Sequence, residues 1–142
     1  MDKSEAIDLL HRGGYSCVVV KEGRAECFRR RGVTDLFLLL RDRPEALKGA
    51  FVADKVVGRG AAMLMVCGGV GELYTDLISE QALPVLAAAD ITVAYNRTTP
   101  HILNRQGTDW CPVEELCRDL QLPEEGFLAV GNFLNKTGNS AL

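Results

Sequence analysis

The sequence predicts an α/β fold: three layers, α/β/α, around a mixed sheet with an N-terminal hairpin and parallel later strands. Three observations carry this reading. Two extended runs flank Glu22-Gly23 near the N-terminus, the pattern of a β-hairpin. Later, Glu72–Ile78 and Ile91–Asn96 read as strands on either side of a helical stretch. A strand–helix–strand unit of that length joins parallel strands through a right-handed crossover. Finally, 142 residues, 47% apolar and 25% charged, suffice for one ordinary globular core.

In chain order, Ser4 to His11 is expected to be a helix with Ile7, Leu9 and Leu10 on its apolar side, ended by Gly13-Gly14. Tyr15–Lys21, with Val18, Val19 and Val20, and Arg24–Arg30 form the hairpin. Thr34 or Asp35 is placed to cap a helix through Leu40. The run Leu36-Phe37-Leu38-Leu39-Leu40 is too apolar for an exposed element, and Arg43-Pro44 breaks it. Between Val52 and Cys67 the apolar residues Val52, Val56, Val57, Ala61, Leu64 and Met65 recur near the helical period. That spacing predicts one helix with Asp54 as its N-cap and Gly68-Gly69 as its stop. Gly58 and Gly60 inside it imply a close approach, either of packed protein or of a ligand.

A helix from about Ser79 to Ala89 follows the first later strand, with Pro84 obscuring its start. Thr98 to Arg105 reads as a loop, and Pro112 to Leu120 as a helix with proline in its first turn. Residues 1–120 therefore form the expected domain. Residues 121–142 form a C-terminal extension of weak periodicity, partly docked through Phe127, Leu128, Phe133 and Leu134 or disordered, with frayed last residues.

Charge and composition exclude several classes. A net charge of −3 gives no basic footprint for nucleic acid, and Arg29-Arg30-Arg31 reads as a solvated strand end. No segment approaches the roughly 20 apolar residues of a membrane span. The N-terminus lacks the layout of a signal peptide. Five scattered cysteines, Cys17, Cys27, Cys67, Cys111 and Cys117, include no CxxC pair, which implies reduced thiols in a cytoplasm. Cys17, Cys27 and Cys67 read as core fillers.

The run Glu72-Leu73-Tyr74-Thr75-Asp76-Leu77, the Ala- and Leu-rich helix after it, and Asp90-Ile91-Thr92-Val93-Ala94-Tyr95 together resemble the second half of a cytidine-deaminase-like domain. More narrowly, three ordered motifs resemble a small bacterial family, domain of unknown function 1893. They are Val52-Ala53-Asp54-Lys55-Val56-Val57-Gly58-Arg59-Gly60-Ala61-Ala62, Pro100-His101-Ile102-Leu103-Asn104-Arg105 and Cys111-Pro112-Val113-Glu114. The resemblance covers about residues 4–120 and implies the deaminase scaffold, with no settled activity to transfer. The chain departs from true deaminases where chemistry would sit. Zinc deaminases take one His or Cys from one helix start and two Cys from the next. Here residues 54–58 and 77–83 hold neither type. Cys111 and Cys117 are six apart and do not share a helix face well, and His11 and His101 have no partner motif. No metal and no cofactor are expected.

Ligands in open α/β sheets bind beyond the carboxyl ends of the strands. The loop there offers Asn96, Arg97, Thr98, Thr99, His101, Asn104 and Arg105. Arg97 and Arg105 suit phosphate or carboxylate, and His101 suits proton transfer. The alternative is that Asn104 and Arg105 tie the loop down. Asp54, Lys55, Gly58 and Arg59 form a second candidate, an anion site at a helix start with two cations four residues apart. There too, the plainer reading of Asp54 is a simple N-cap, and that is the role expected first. Cys111, at a helix N-terminus, is either a reactive thiol or a half-buried cap, and Trp110 reads as packing over a core edge.

Three functions remain, in order. The first is binding of a nucleotide or phosphorylated ribose-type ligand in the vestigial active-site cleft. The second is a metal-independent enzyme on a nucleotide-like substrate, with His101 or Cys111 converging on Asp54. The third is a homo-oligomeric interaction module using the tail or the hairpin edge.

Overall fold

The N-terminal helix packs on one face of the sheet and the remaining large helices on the other, which makes the three layers. The computed structural model describes residues 1–137. Helix α1 (Lys3–Arg12) begins at a capping box, in which the Asp2 carboxylate accepts the Glu5 N–H and the Glu5 carboxylate accepts the Asp2 N–H. Strands β1 (Cys17–Lys21) and β2 (Arg24–Phe28) pair antiparallel around Glu22-Gly23, both of which have positive φ. That is the backbone a two-residue hairpin loop of matching twist requires.

Helix α2 (Thr34–Asp42) buries Leu36, Phe37, Leu39 and Leu40, as its apolar run implies. Its N-cap is Val33, with no side-chain cap bond, and neither Thr34 nor Asp35 takes that role. The Asp35 carboxylate instead accepts the Arg30 N–H at 3.1 Å and pairs with the Arg30 guanidinium. A 3₁₀ turn at Pro44–Ala46 leads into strand β3 (Phe51–Val57).

Here the fold departs from its sequence reading. The expected helix over 52–67 is strand β3 followed by helix α3 (Arg59–Gly68). Val52, Val56 and Val57 satisfy a helical period, but β3 lies between β1 and β4 and buries Phe51, Val52 and Ala53 in succession, which hides the alternation of a half-buried strand, while Val56 is exposed. Gly58, with extended backbone, breaks the strand and is the N-cap of α3, so Asp54 is not a cap and Lys55 and Arg59 share no helix face. The predicted stop is real: Gly69 adopts φ +74 and donates to the carbonyls of Met65 and Val66.

Strand β4 (Glu72–Ser79), the short helix α4 (Leu83–Ala88) and strand β5 (Thr92–Thr99) form the expected parallel unit, in the sheet order β2-β1-β3-β4-β5. Helix α4 is shorter than anticipated, because Ser79–Ala82 first turn the chain before Pro84 starts it. Thr98 and Thr99, assigned to a loop from sequence, still belong to β5. Helix α5 (Pro112–Cys117) stops short of Leu120, and helix α6 (Pro123–Lys136) occupies most of the C-terminal extension. Val130 and Leu134 of α6 are buried in the core around α3, and Phe127 stacks on Phe37 at 5.0 Å. Leu128, expected to dock, is exposed. The expected fraying of the last residues falls mainly on 138–142, outside the described residues.

Two cores result. Ala6 and Leu10 of α1 meet Val18, Val20, Phe51 and Ala53 on one face. The larger core lies on the other, where Val19, Val52, Leu73 and Ile78 meet α2, α3, α4 and α6. Each fully buried Leu, Ile or Met stabilises by about 1.5–3 kcal/mol, so α3, with Met63, Leu64 and Met65 sealed from solvent, anchors the domain. Of the three cysteines read as core fillers, Cys17 is buried and Cys27 half-buried, but Cys67 is exposed near the end of α3. Among the described residues, no helix is long and apolar enough to cross a membrane.

Candidate functional site

At the carboxyl end of β3 the chain turns through Gly58 into α3, whose first N–H groups have no partner within the helix. Glu114 of α5 supplies one. Its Oε1 accepts the Arg59 N–H at 2.7 Å and its Oε2 accepts the Ile102 N–H at 2.7 Å, in a residue only 2% exposed. A carboxylate at a helix N-terminus is also favoured by the helix dipole. A Cβ on Gly58 would sit 3.1 Å from Glu114 Oε1 and 3.2 Å from Ile102 Cγ1, so the missing side chain lets α5 and the loop close in. The place where this helix start would receive an anion is filled by the chain's own glutamate.

Arg59 is 8% exposed. Its Nε donates to the Cys117 carbonyl at 2.9 Å and Nη1 to the Gln81 carbonyl at 2.8 Å, while Nη2 donates to the Leu120 carbonyl. Cys117 ends α5, so the guanidinium satisfies carbonyls that a helix C-terminus leaves open, and it ties α5 to the turn after β4. Gly60 completes the contact: a Cβ there would lie 2.6 Å from Val113 Cγ1 and 3.4 Å from Cys117 Sγ. The close approach implied by Gly58 and Gly60 is to α5 and its loop. Gly60→Ala is expected to cost about 1–3 kcal/mol from overpacking, read as a lower urea midpoint with an unchanged slope.

The loop after β5 folds back as a narrow tongue. Leu103 bridges Trp110, Asn104 Oδ1 accepts the Thr108 N–H at 3.0 Å, and the Asn104 N–H donates to the Asp109 carbonyl at 2.9 Å. Asn104 therefore shapes the loop. His101 stacks on Trp110 with ring centres 4.1 Å apart and planes 10° apart, and the Arg118 guanidinium lies 4.8 Å from the Trp110 ring centre. Trp110 is thus a layer in a π-stack, where a core-edge role was expected. Arg105 is exposed on the tongue, and Arg97 is exposed on β5. Cys111 caps α5 by its backbone, its N–H donating to the Ile102 carbonyl at 2.8 Å.

Asp54 stands apart from all of this. It lies four residues before Gly58 on extended chain, about 13 Å away, opposite Cys17 of β1. Burial pushes its carboxyl up to about 7; hydrogen bonds from the N–H groups of Val56 and Lys55 and from the Cys17 thiol oppose the rise, and the Asp76 charge adds to it. Burial likewise pushes the Cys17 thiol well above its usual value, with the Asp54 charge reinforcing it. His101 and Cys111 share the tongue, but Asp54 does not join them, so the cleft required by the enzyme reading is not assembled.

A second polar cluster escaped the sequence reading. It lies where the end of α1 meets Asp76 of β4, on the face that carries α1. His11 Nε2 at the end of α1 meets Asp76 Oδ1 at 2.8 Å and Oδ2 at 2.9 Å, and the Tyr74 hydroxyl donates to Oδ1 at 2.6 Å. That contact holds the Tyr74 proton, pushing its pKa to about 12. Tyr74 and Asp76 are two apart on a strand, which sequence can show; the helix residue that meets them, 65 positions from Asp76, it cannot.

Zinc does not fit the deaminase position. The starts of α3 and α4, residues 58–61 and 82–84, bear no imidazole or thiol, and both oxygens of Glu114 already accept backbone N–H groups. A shallow depression of about 530 Å³ lies at the opposite end of the sheet, between the first residues and the β1–β2 turn.

No curated protein matches the chain. A solved structure of a DUF1893 family protein from Thermotoga maritima superposes with a TM-score of 0.84 at 24% identity, covering 93% of this chain and 91% of that one. A diaminohydroxyphosphoribosylaminopyrimidine deaminase/5-amino-6-(5-phosphoribosylamino)uracil reductase from Thermotoga maritima gives a TM-score of 0.46 at 16% identity, over 80% of this chain and 39% of that one. The sequence profile of the domain of unknown function DUF1893 matches residues 5–134. Sequence profile and fold agree, and the chain belongs to the DUF1893 family.

Proposed function

We propose that this chain is a binding domain for a nucleotide or phosphorylated ribose-type ligand, held at the outer mouth of the former cleft. The observation that carries the reading is the stack of His101, Trp110 and Arg118. It ends in an imidazole and a guanidinium, both flat surfaces on which a base can stack. Arg105 on the same tongue and Arg97 on β5 supply cations for phosphate. Within the cleft, Gly58 and Arg59 form its packed floor, and Asp54 and Lys55 lie outside the mouth. The sequence-based site thus contracts to Arg97, His101 and Arg105, with Asn104 shaping the tongue and Trp110 and Arg118 added.

A thermal-shift series with adenosine and cytidine mono- and diphosphates, NAD, ribose 5-phosphate and unphosphorylated nucleosides tests this. A ligand at ten times its Kd stabilises by about 1.4 kcal/mol, or about 4 °C in a chain of this size. The expected result is such a shift with a phosphorylated compound, a smaller one with its nucleoside, and loss of both in Trp110→Ala. Absence of any shift at millimolar ligand overturns the reading.

A further inference from the structure

Imidazole is the side chain whose charge ordinarily changes closest to neutral pH, and His101 holds one flat against Trp110, the only tryptophan in the chain. Both residues are half-buried, and the exposed Arg118 approaches the indole ring centre at 4.8 Å. The backbone around the imidazole is fixed. The Thr99 hydroxyl donates to the His101 carbonyl at 3.1 Å, and the next N–H, of Ile102, donates to Glu114. The ring itself is not committed in this way, because neither nitrogen of His101 has a hydrogen-bond partner among the described residues. A neutral imidazole offers one donor and one acceptor; the protonated ring offers two donors and a positive charge. Which form is present therefore decides what the stack can grip.

The carboxylates on the elements that meet here are either committed or exposed. Asp109 Oδ1 accepts the Trp110 backbone N–H at 2.8 Å, both oxygens of Glu114 accept backbone N–H groups, and Glu80 and Glu115 are exposed. The cations are Arg97 of β5, Arg105 of the tongue and Arg118 of α5, all exposed. A proton on His101 adds a further positive charge to that group, so without a ligand the arginines oppose it. A phosphate reverses the balance, because it offsets the arginines and accepts a charge-assisted hydrogen bond from the ring. We propose that His101 binds a proton together with the phosphate of the ligand, which makes the site tightest below neutral pH. The inference rests on the nucleotide reading above and adds its regulation. Binding equilibria are reciprocal: the factor by which phosphate strengthens proton binding is the factor by which the proton strengthens phosphate binding. One charge-assisted hydrogen bond gained on protonation corresponds to about tenfold in affinity, present at low pH and lost as pH rises.

Trp110 makes the protonation visible, because a protonated imidazole against an indole quenches its emission and the chain has no second tryptophan. The test is a fluorescence titration of the full chain from about pH 5 to pH 8.5, in chloride and in sulfate of equal ionic strength, with circular dichroism to confirm folding. Sulfate stands in for phosphate and does not itself titrate in that range. The expected result is emission that rises with pH, a profile absent in His101→Gln, and a midpoint moved upward by about 0.7 pH unit or more at saturating sulfate, the shift that fivefold coupling gives. Adenosine 3′,5′-cyclic monophosphate, whose phosphate keeps one charge throughout, should bind about tenfold more weakly at pH 8 than at pH 5.5, with that slope lost in His101→Gln. A flat emission profile in the parent, or a midpoint indifferent to sulfate, overturns the proposal and leaves nucleotide binding untouched. Binding of the cyclic nucleotide without a pH slope overturns it as well. A thermal-shift series without response removes the nucleotide reading, while a sulfate-dependent midpoint still supports the coupling of proton and anion at His101.

Discussion

Arg59→Ala is expected to destabilise the fold by about 3–5 kcal/mol, measured as the midpoint of guanidinium unfolding. The side chain is buried, and its guanidinium donates to the carbonyls of Cys117, Gln81 and Leu120. Alanine leaves the Gln81 and Leu120 carbonyls without that donor, while the Cys117 carbonyl keeps the Leu120 N–H, and a buried polar group without a partner costs about 1–3 kcal/mol. Glu114 stays buried in the variant through its two backbone contacts, the Arg59 N–H among them. Arg59→Lys keeps the charge but cannot span three divergent acceptors with one compact ammonium. It should fall between the parent and alanine, which keeps the test informative if the alanine variant fails to fold. A midpoint unchanged in both variants would remove Arg59 from the structural role and return it to the surface available for ligands.

The difference between what was legible and what was not follows from range and burial. The β1–β2 hairpin announces itself locally, through Val18, Val19 and Val20 and a Glu22-Gly23 turn with positive φ at both positions. The parallel β4–α4–β5 unit likewise follows from the lengths of adjacent segments. β3 is misread because Phe51, Val52 and Ala53 are buried in succession, which hides the period of two, and Val52, Val56 and Val57 then satisfy the wrong periodicity. The start of α6 goes unread in a segment of weak periodicity, although Pro123 precedes Glu124 and Glu125, and a Glu125 oxygen accepts the N–H groups of Gln121 and Leu122. The candidate site is less legible. Pro100–Arg105 reads correctly as the segment beyond the last strand, and its one arginine, Arg105, is exposed, as is Arg97 on β5. Yet the decisive contacts join residues 55 and 12 positions apart, Glu114 with Arg59 and with Ile102, and no local pattern distinguishes that glutamate from an ordinary first-turn acid. The same separation explains why Arg59, a free cation by sequence, is an internal tie.

Asp54→Asn is expected to flatten the pH dependence of stability and to make the protein more stable than the parent above neutrality. In the folded chain the carboxyl holds its proton up to about 7, against an ordinary 3.8, because burial disfavours the charged form. Below 3.8 both states are protonated and the group adds no pH dependence. Between 3.8 and 7 the unfolded chain has released the proton while the folded chain retains it, so stability falls as pH rises. Above 7 both are ionised, and the folded chain carries the full cost of a buried carboxylate. Such a displacement corresponds to about 4 kcal/mol at most, and local relaxation would reduce it to about 2 kcal/mol. Asparagine preserves an acceptor for the N–H groups of Lys55 and Val56 and sets an amide donor against the Cys17 sulfur, so the geometry survives without a titrating group. The measured quantity is the difference in unfolding free energy between variant and parent from pH 4 to pH 8, which cancels every other titration. It should grow across that interval in favour of the variant; parallel curves would place the Asp54 carboxyl in water and return its pKa to the ordinary range.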